Sequence, residues 1–294
     1  MIKYLTRKQL DINKYNQCIS SSLNTRIFAH SWYLDIVTNE SWGALILNEY
    51  DAVMPLPQRS KFFIPYVFQP SWVQQLGIFS PTEIDKNSVE HFLKTIPTKF
   101  KMVDIFLNSG NRSTIKKIKT RSNYILQLTK PFDVLFSAYR KGRKSSIKQA
   151  QNYGLKVVDD FNHNEIIQLF KDNKGAELKA NNSGYIILNK LMDYAVPLNF
   201  VECLSVVTKN NELIAGAFFL KDKHRITYLF SAVNQKGRAQ QAMSFLINHM
   251  IQRNANTGLI FDFEGSMIHD IASFFKSFGA VKETYYHYNI KRLF

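Results

Sequence analysis

The chain has 294 residues, of which 45% are apolar and 21% charged. That is enough apolar material for one large or two ordinary domains, and it excludes wholesale disorder, collagen and a disulfide-stapled miniprotein. The 38 basic residues outnumber 23 acidic ones, a net +15, and such a field attracts nucleic acid, a phosphate-rich cofactor or an anionic membrane surface.

The excess is spread along the chain, 16 − 9 = +7 up to residue 129 and 22 − 14 = +8 beyond it. A basic composition without functional meaning produces the same spread. The longest apolar run, Leu213 to Leu220, is far below the roughly 20 residues that span a bilayer. The opening MIKYLTRKQLD is charged early and lacks the apolar stretch of a signal peptide. With Cys18 and Cys203 far apart and outside any partner motif, the expectation is a cytoplasmic protein with two free, buried thiols.

The first half reads as mixed α/β. A helical period over 11–23 puts Ile12, Tyr15, Ile19 and Leu23 on one side. A short helix from Ser31 to Thr38 follows, then three β runs: GALILNEY, AVMPLP and KFFIPYVF. A helix near 86–95 and strands KMVDIFL and NYILQL complete this part. Lys130-Pro131 is a natural break, because proline disfavours helical geometry in the residue before it. The expected domains are therefore 1–129 and 130–294, with the closing strand packing on the first.

In the second half, 133–153 reads as one helix stopped by Gly154. A strand LKVV, a helix from Glu165 to Leu178 and a helix from Leu188 to Ala195 come next. The runs FVECLSVV, ELIAGAFFL and RITYLFSAV, joined by polar turns, predict an antiparallel meander. Asn234-Gln-Lys-Gly237-Arg-Ala239 then opens a helix with Ala239, Ala242, Met243, Leu246 and Met250 on one face. A strand LIFDFEG, a helix carrying Ile271, Phe274, Phe275 and Phe278 on one side, and the β-rich VKETYYHYNIKRLF end the chain.

Four segments can carry chemistry. A strand running into the Gly237 turn and a helix presents backbone N–H groups to an anion such as a pyrophosphate, with Lys236 and Arg238 adding charge. The same turn also reads as a plain β–α connection that needs glycine for geometry. Asp262 and Glu264 alternate onto one face at a strand end, where a carboxylate suits a general base for an attacking amine. They equally serve as counter-charges to nearby Lys and Arg. Arg140, Lys141, Arg143, Lys144 and Lys148, with no acid among them, form either a phosphate-holding helix or a solvated face. Trp72 with Gln74 and Gln75 can shape a ligand pocket or pack in the core. The seven histidines show no metal spacing, and no GxSxG or Walker loop is present, so no metal is expected.

The element order of the second half resembles the GNAT acyltransferase fold, whose pyrophosphate loop Arg/Gln-x-x-Gly-x-Gly/Ala is matched by Asn234, Gly237 and Ala239. The whole chain looks more like the Fem-type relatives. The likeness is carried by Phe28-Ala-His30-Ser31-Trp32, by Arg143 to Ala150, by Asp262-Phe-Glu-Gly265-Ser and by Phe274 to Ala280. It implies two tandem GNAT-like domains, each a mostly antiparallel mixed sheet flanked by helices, in an α/β chain.

The implied activity is N-acyl transfer from acyl-coenzyme A (acetyl-coenzyme A) or aminoacyl-tRNA to an amine, the peptidoglycan precursors of Fem enzymes being one acceptor class. The amine attacks directly, with no covalent enzyme intermediate. By this resemblance Asn234, Lys236, Gly237, Arg238 and Ala239 hold the donor, and Glu264, Asp262 and Lys276 are the catalytic candidates. Trp32, Trp72, Gln74, Gln75, Arg143 and Lys144 are candidates for holding substrate. Where many GNAT enzymes carry a tyrosine acid, this sequence has Phe275. The alternative is an RNA-binding or envelope-associated module that keeps the scaffold without catalysis. Contact with tRNA or with an anionic membrane is compatible with both.

Overall fold

The computed structural model describes residues 1–292 other than 160 and 176–181. The chain forms two compact units, Met1–Ser122 with Glu283–Phe294, and Asn123–Lys282. The division falls at Ser122, seven residues before the break expected at 129.

In the first unit, β1 (Ile2–Thr6) pairs antiparallel with β2 (Trp42–Leu47), which pairs with β3 (Ala52–Lys61). The strand β1 was not foreseen from sequence. The helix α1 (Ile12–Ser21) starts at Asp11, whose carboxylate accepts from the Lys14 amide. It buries Tyr15 and Ile19 as expected, but it ends before Leu23, which is 65% exposed. The helix α2 (Ser31–Thr38) follows and ends on left-handed Asn39. The run KFFIPYVF is not one strand. Its start closes β3, Phe62 and Phe63 make a turn, and β4 (Ile64–Val67) returns. Helix α3 (Lys86–Thr95) and strand β5 (Met102–Leu107) follow, with β4 and β5 parallel.

The second unit is built on β6 (Ile118–Gln127). The single helix expected over 133–153 is two: α4 (Phe132–Ser137) and α5 (Lys141–Asn152). Tertiary anchors break it. Tyr139 is buried against Phe136 and Phe278, and the Arg140 amide leaves the helical ladder to donate to the Ser277 carbonyl at 2.9 Å. After β7 (Lys156–Val158) come α6 (His163–Phe170), capped by an Asn162–Glu165 box, and α7 (Asn182–Ala195). A π-helical turn over Lys171–Gly175 follows α6, and the rest of the helix expected there lies outside the described residues.

The meander is present as β8 (Val201–Val207), β9 (Leu213–Lys221) and β10 (Arg225–Val233), antiparallel throughout. Helices α8 (Gln235–Ala239) and α9 (Ala242–Arg253) lead to β11 (Ile260–Asp262) and α10 (His269–Lys276). Of the stripe expected on α10, Phe275 and Phe278 enter the core, while Ile271 is 41% exposed. One core joins α4, α5, α9 and α10 to the sheet through Leu135, Ile147, Leu246, Phe261, Phe263 and Phe275. Strand β12 (Val281–Lys291) completes the first unit by pairing antiparallel with β5. Both units are therefore mixed α/β layers with mostly antiparallel sheets. Among the described residues no helix is long and apolar enough to cross a membrane.

Candidate active site

Strands β10 and β11 run parallel, but only Arg225–Thr227 pair with Ile260–Asp262. Beyond that point β10 follows β9 to Val233, with a bulge between Tyr228 and Phe230. The other chain instead stays with β6, the Phe263 amide donating to the Tyr124 carbonyl at 3.0 Å. A bulge adds a residue to one strand and bends it, so the sheet parts between Tyr228 and Phe263. At this opening Glu264 (φ 57°) and Gly265 (φ 58°) are both left-handed and turn the chain out of the strand. The alternation expected to put Asp262 and Glu264 on one face therefore stops at Asp262.

The two acids have different environments. Asp262 is buried and saturated: Oδ2 accepts from Arg225 Nη1 at 2.7 Å, and Oδ1 accepts from Asn123 Nδ2 and from the Glu264 amide, each at 2.9 Å. Asp262 thus holds the backbone of Glu264 through its amide. Glu264 is half-buried, and desolvation, followed by the nearby Asp262 charge, raises its carboxyl well above the ordinary value. Of the two it is the one with its proton affinity tuned upward. Arg225 and Asn123 were missed from sequence because their roles depend on pairing across strands.

Phe275 packs its ring against Phe263 (4.8 Å), Tyr228 (6.4 Å) and Tyr124 (6.5 Å). Tyr228 thus brings a phenol ring beside Phe275, and burial pushes its pKa up, so it keeps its proton. Its place on β10, immediately after the last paired residue, was invisible without the register. Lys276 is exposed, its ammonium 5.3 Å from the centre of the Tyr124 ring.

The Gly237 turn differs from an open anion cradle. It lies within α8, buried, and its amide is already capped by Asn234 Oδ1 at 2.8 Å. A Cβ there would stand 2.4 Å from the Ile214 carbonyl oxygen, which explains the glycine by close packing on β9. Lys236 is ion-paired with Glu212, whereas Arg238 and Ala239 are exposed. No side chain caps the first turn of α9, and Arg143 reaches it by donating through Nη1 to Ser244 Oγ. Arg143 also donates through Nε to Ser277 Oγ at 2.8 Å and stacks on Phe274 and Phe278, at 4.3 and 4.8 Å. Desolvation lowers its pKa to about 10. No carboxylate neutralises it among these contacts.

Along the same side, α4, α5 and α9 bound a groove of about 510 Å³. Lys141, Lys144 and Lys148 line it with Phe132, Phe136 and Ile147, and no acid is among its lining residues. Asn248, 5% exposed, adds a buried Oδ1 without a hydrogen-bond partner. Lys144 donates to the Ser137 carbonyl at 2.8 Å.

Trp32, Trp72, Gln74 and Gln75 belong to the first unit. The Trp32 ring packs edge-on against Tyr33, whose hydroxyl donates to the Trp72 carbonyl at 2.5 Å. Gln75 Nε2 donates to Gln74 Oε1 at 2.6 Å. Trp72 is left-handed, with φ 64°. Both cysteines are free, Cys18 buried as expected and Cys203 only half-buried, and desolvation pushes their thiols up to about 11 and about 12.

Residues 140–270 match the Acetyltransferase (GNAT) domain family. No curated protein sequence matches the chain. Among solved structures, FemX superposes with a TM-score of 0.70 at 12% identity, covering 98% of this chain and 97% of that one. L-PGS from Bacillus licheniformis gives 0.58 at 13% identity, over 96% and 92% of the two chains. A conserved protein of unknown function from Bacteroides thetaiotaomicron gives 0.58 at 10%, over 98% and 99%. At these identities the shared property is the fold. The GNAT match therefore takes in the parted strands β10 and β11 and helices α5 to α9, and over its whole length the chain shares the fold of FemX.

Proposed function

We propose that the protein transfers an acyl or aminoacyl group from a nucleotide-bearing donor, acyl-coenzyme A or aminoacyl-tRNA, to an amine. The observation that carries this reading is the opening between β10 and β11 with the desolvated Glu264 carboxyl at its mouth. In the proposed step the amine nitrogen attacks the donor carbonyl, a C–N bond forms and the C–S or C–O bond breaks. Glu264 takes the proton lost by the amine, a task that its raised proton affinity favours. The leaving sulfur or oxygen takes a proton from Tyr228, whose phenol occupies the neighbourhood of Phe275. Asp262 holds the Glu264 amide, and Arg143, the first turn of α9 and the lysine groove receive donor phosphates. The acceptor class that fits this step is an amine such as that of a peptidoglycan-type precursor.

Thermal-shift titration separates the donors. Stabilisation by acetyl-coenzyme A supports the small donor, and stabilisation by aminoacyl-tRNA alone supports the Fem-type donor. A response to neither supports a non-catalytic module. That second reading draws on Phe275, which supplies packing and no proton.

A further inference from the structure

The turn between β3 and β4 carries an arrangement that the fold does not require. Lys61 and Ile64 form the last pair of the hairpin, leaving Phe62 and Phe63 as a two-residue loop. Both are left-handed, φ 50° and 63°, the pattern of a type I′ turn that asparagine and glycine normally fill. Bulky side chains are strongly disfavoured in that region. Both rings also project into solvent, Phe62 at 82% and Phe63 at 101% exposure. Asn-Gly would serve the turn better on both counts, so the rings are retained against local backbone preference and against hydration.

The surrounding charge is of one sign. Lys61 is exposed beside the rings, its ammonium 5.6 Å from the centre of the Phe62 ring, and the exposed Arg59 lies further down the hairpin, its guanidinium 4.1 Å over the Phe68 ring. Lys101 reaches the base of the hairpin, its amide donating to the Pro65 carbonyl at 3.1 Å. From Ala52 to Thr82 the sequence contains no Asp or Glu. A protruding tip with two aromatic rings and a cationic collar is complementary to a surface that is negative outside and apolar beneath. A protein groove would leave the collar needing acidic partners in fixed positions; a bilayer supplies them at any rotation.

We propose that the Phe62–Phe63 hairpin tip is a membrane anchor, its rings entering the interface of a bilayer with anionic headgroups while Lys61 lies among those headgroups. This site is independent of acyl transfer, and its test contains no transfer step. The full chain is sedimented with vesicles of phosphatidylglycerol and phosphatidylcholine, and with vesicles of phosphatidylcholine alone. The native protein binds the anionic vesicles, and added salt weakens that binding. The variant Phe62→Asn/Phe63→Gly keeps or raises the melting temperature, because it suits the turn, yet loses about tenfold or more in vesicle affinity. Lys61→Glu weakens binding to the anionic vesicles. The proposal is overturned if the native chain binds neither vesicle or both equally, or if either variant binds anionic vesicles as the native chain does. It is also overturned if light scattering without lipid shows that the tip joins two copies of the chain.

Discussion

Arg225 Nη1 meets Asp262 Oδ2 at 2.7 Å, with both side chains almost wholly out of solvent, at 6% and 4% exposure. The pair lies across the last parallel rungs of β10 and β11, so it clamps the two strands just before they separate. Substituting Asp262 with alanine removes this carboxylate from a buried guanidinium. The expected loss is about 3–5 kcal/mol of unfolding free energy, read from urea denaturation. Asp262→Asn keeps the shape and should cost less.

Glu264→Gln separates chemistry from stability. The expected fall in kcat/KM is about 10²–10⁴-fold, if the carboxylate is the base. Stability should respond with the opposite sign. Because the folded state raises the Glu264 pKa, it holds a proton that the unfolded chain releases above the ordinary carboxylate range. The contribution of this group is intact at low pH and is lost as pH rises toward the raised value. The melting temperature of Glu264→Gln relative to the native protein should therefore increase as pH rises above the ordinary carboxylate range. A constant difference would mean that the carboxyl is not perturbed.

Tyr228→Phe removes one hydroxyl beside Phe275 and keeps the ring stacking. Loss of the phenol proton should lower kcat, with little change in KM for the donor. The effect should shrink for a donor whose leaving group needs no proton, which steady-state kinetics with an activated thioester would reveal.

Gly237→Ala and Gly142→Ala form a matched pair. At Gly237 the new methyl meets the Ile214 carbonyl oxygen and should cost about 1–3 kcal/mol. At Gly142, inside α5, nothing lies within 4 Å of the added carbon, and alanine should stabilise by up to about 1 kcal/mol. Calorimetry of the two variants tests whether the glycine at 237 answers to packing. A stable Gly237→Ala with impaired donor binding would instead restore the phosphate role of the turn.

If the groove beside α5 receives a polynucleotide, Lys144→Gln/Lys148→Gln should weaken tRNA binding. The slope of log Kd against log salt should fall by about 1 for each lysine removed. Fluorescence anisotropy over a salt series measures it, and an unchanged slope would remove the groove from the donor path.

By itself the sequence determined the alternation of elements, the antiparallel meander, the glycine-led connection after it and the likeness to Fem-type chains. These are local or order-based properties, visible in period, turn residues and motif spacing. It also drew notice to Glu264 and Arg143. Only the tertiary structure distinguished Glu264 from Asp262, because burial and the donors from Arg225 and Asn123 depend on which strands are neighbours. Only it broke 133–153 into two helices, since the Ser277 carbonyl that captures the Arg140 amide lies far away in sequence. It also turned KFFIPYVF into a hairpin tip: the apolar pattern reads as a strand, and pairing of Lys61 with Ile64 alone forces the two phenylalanines outward.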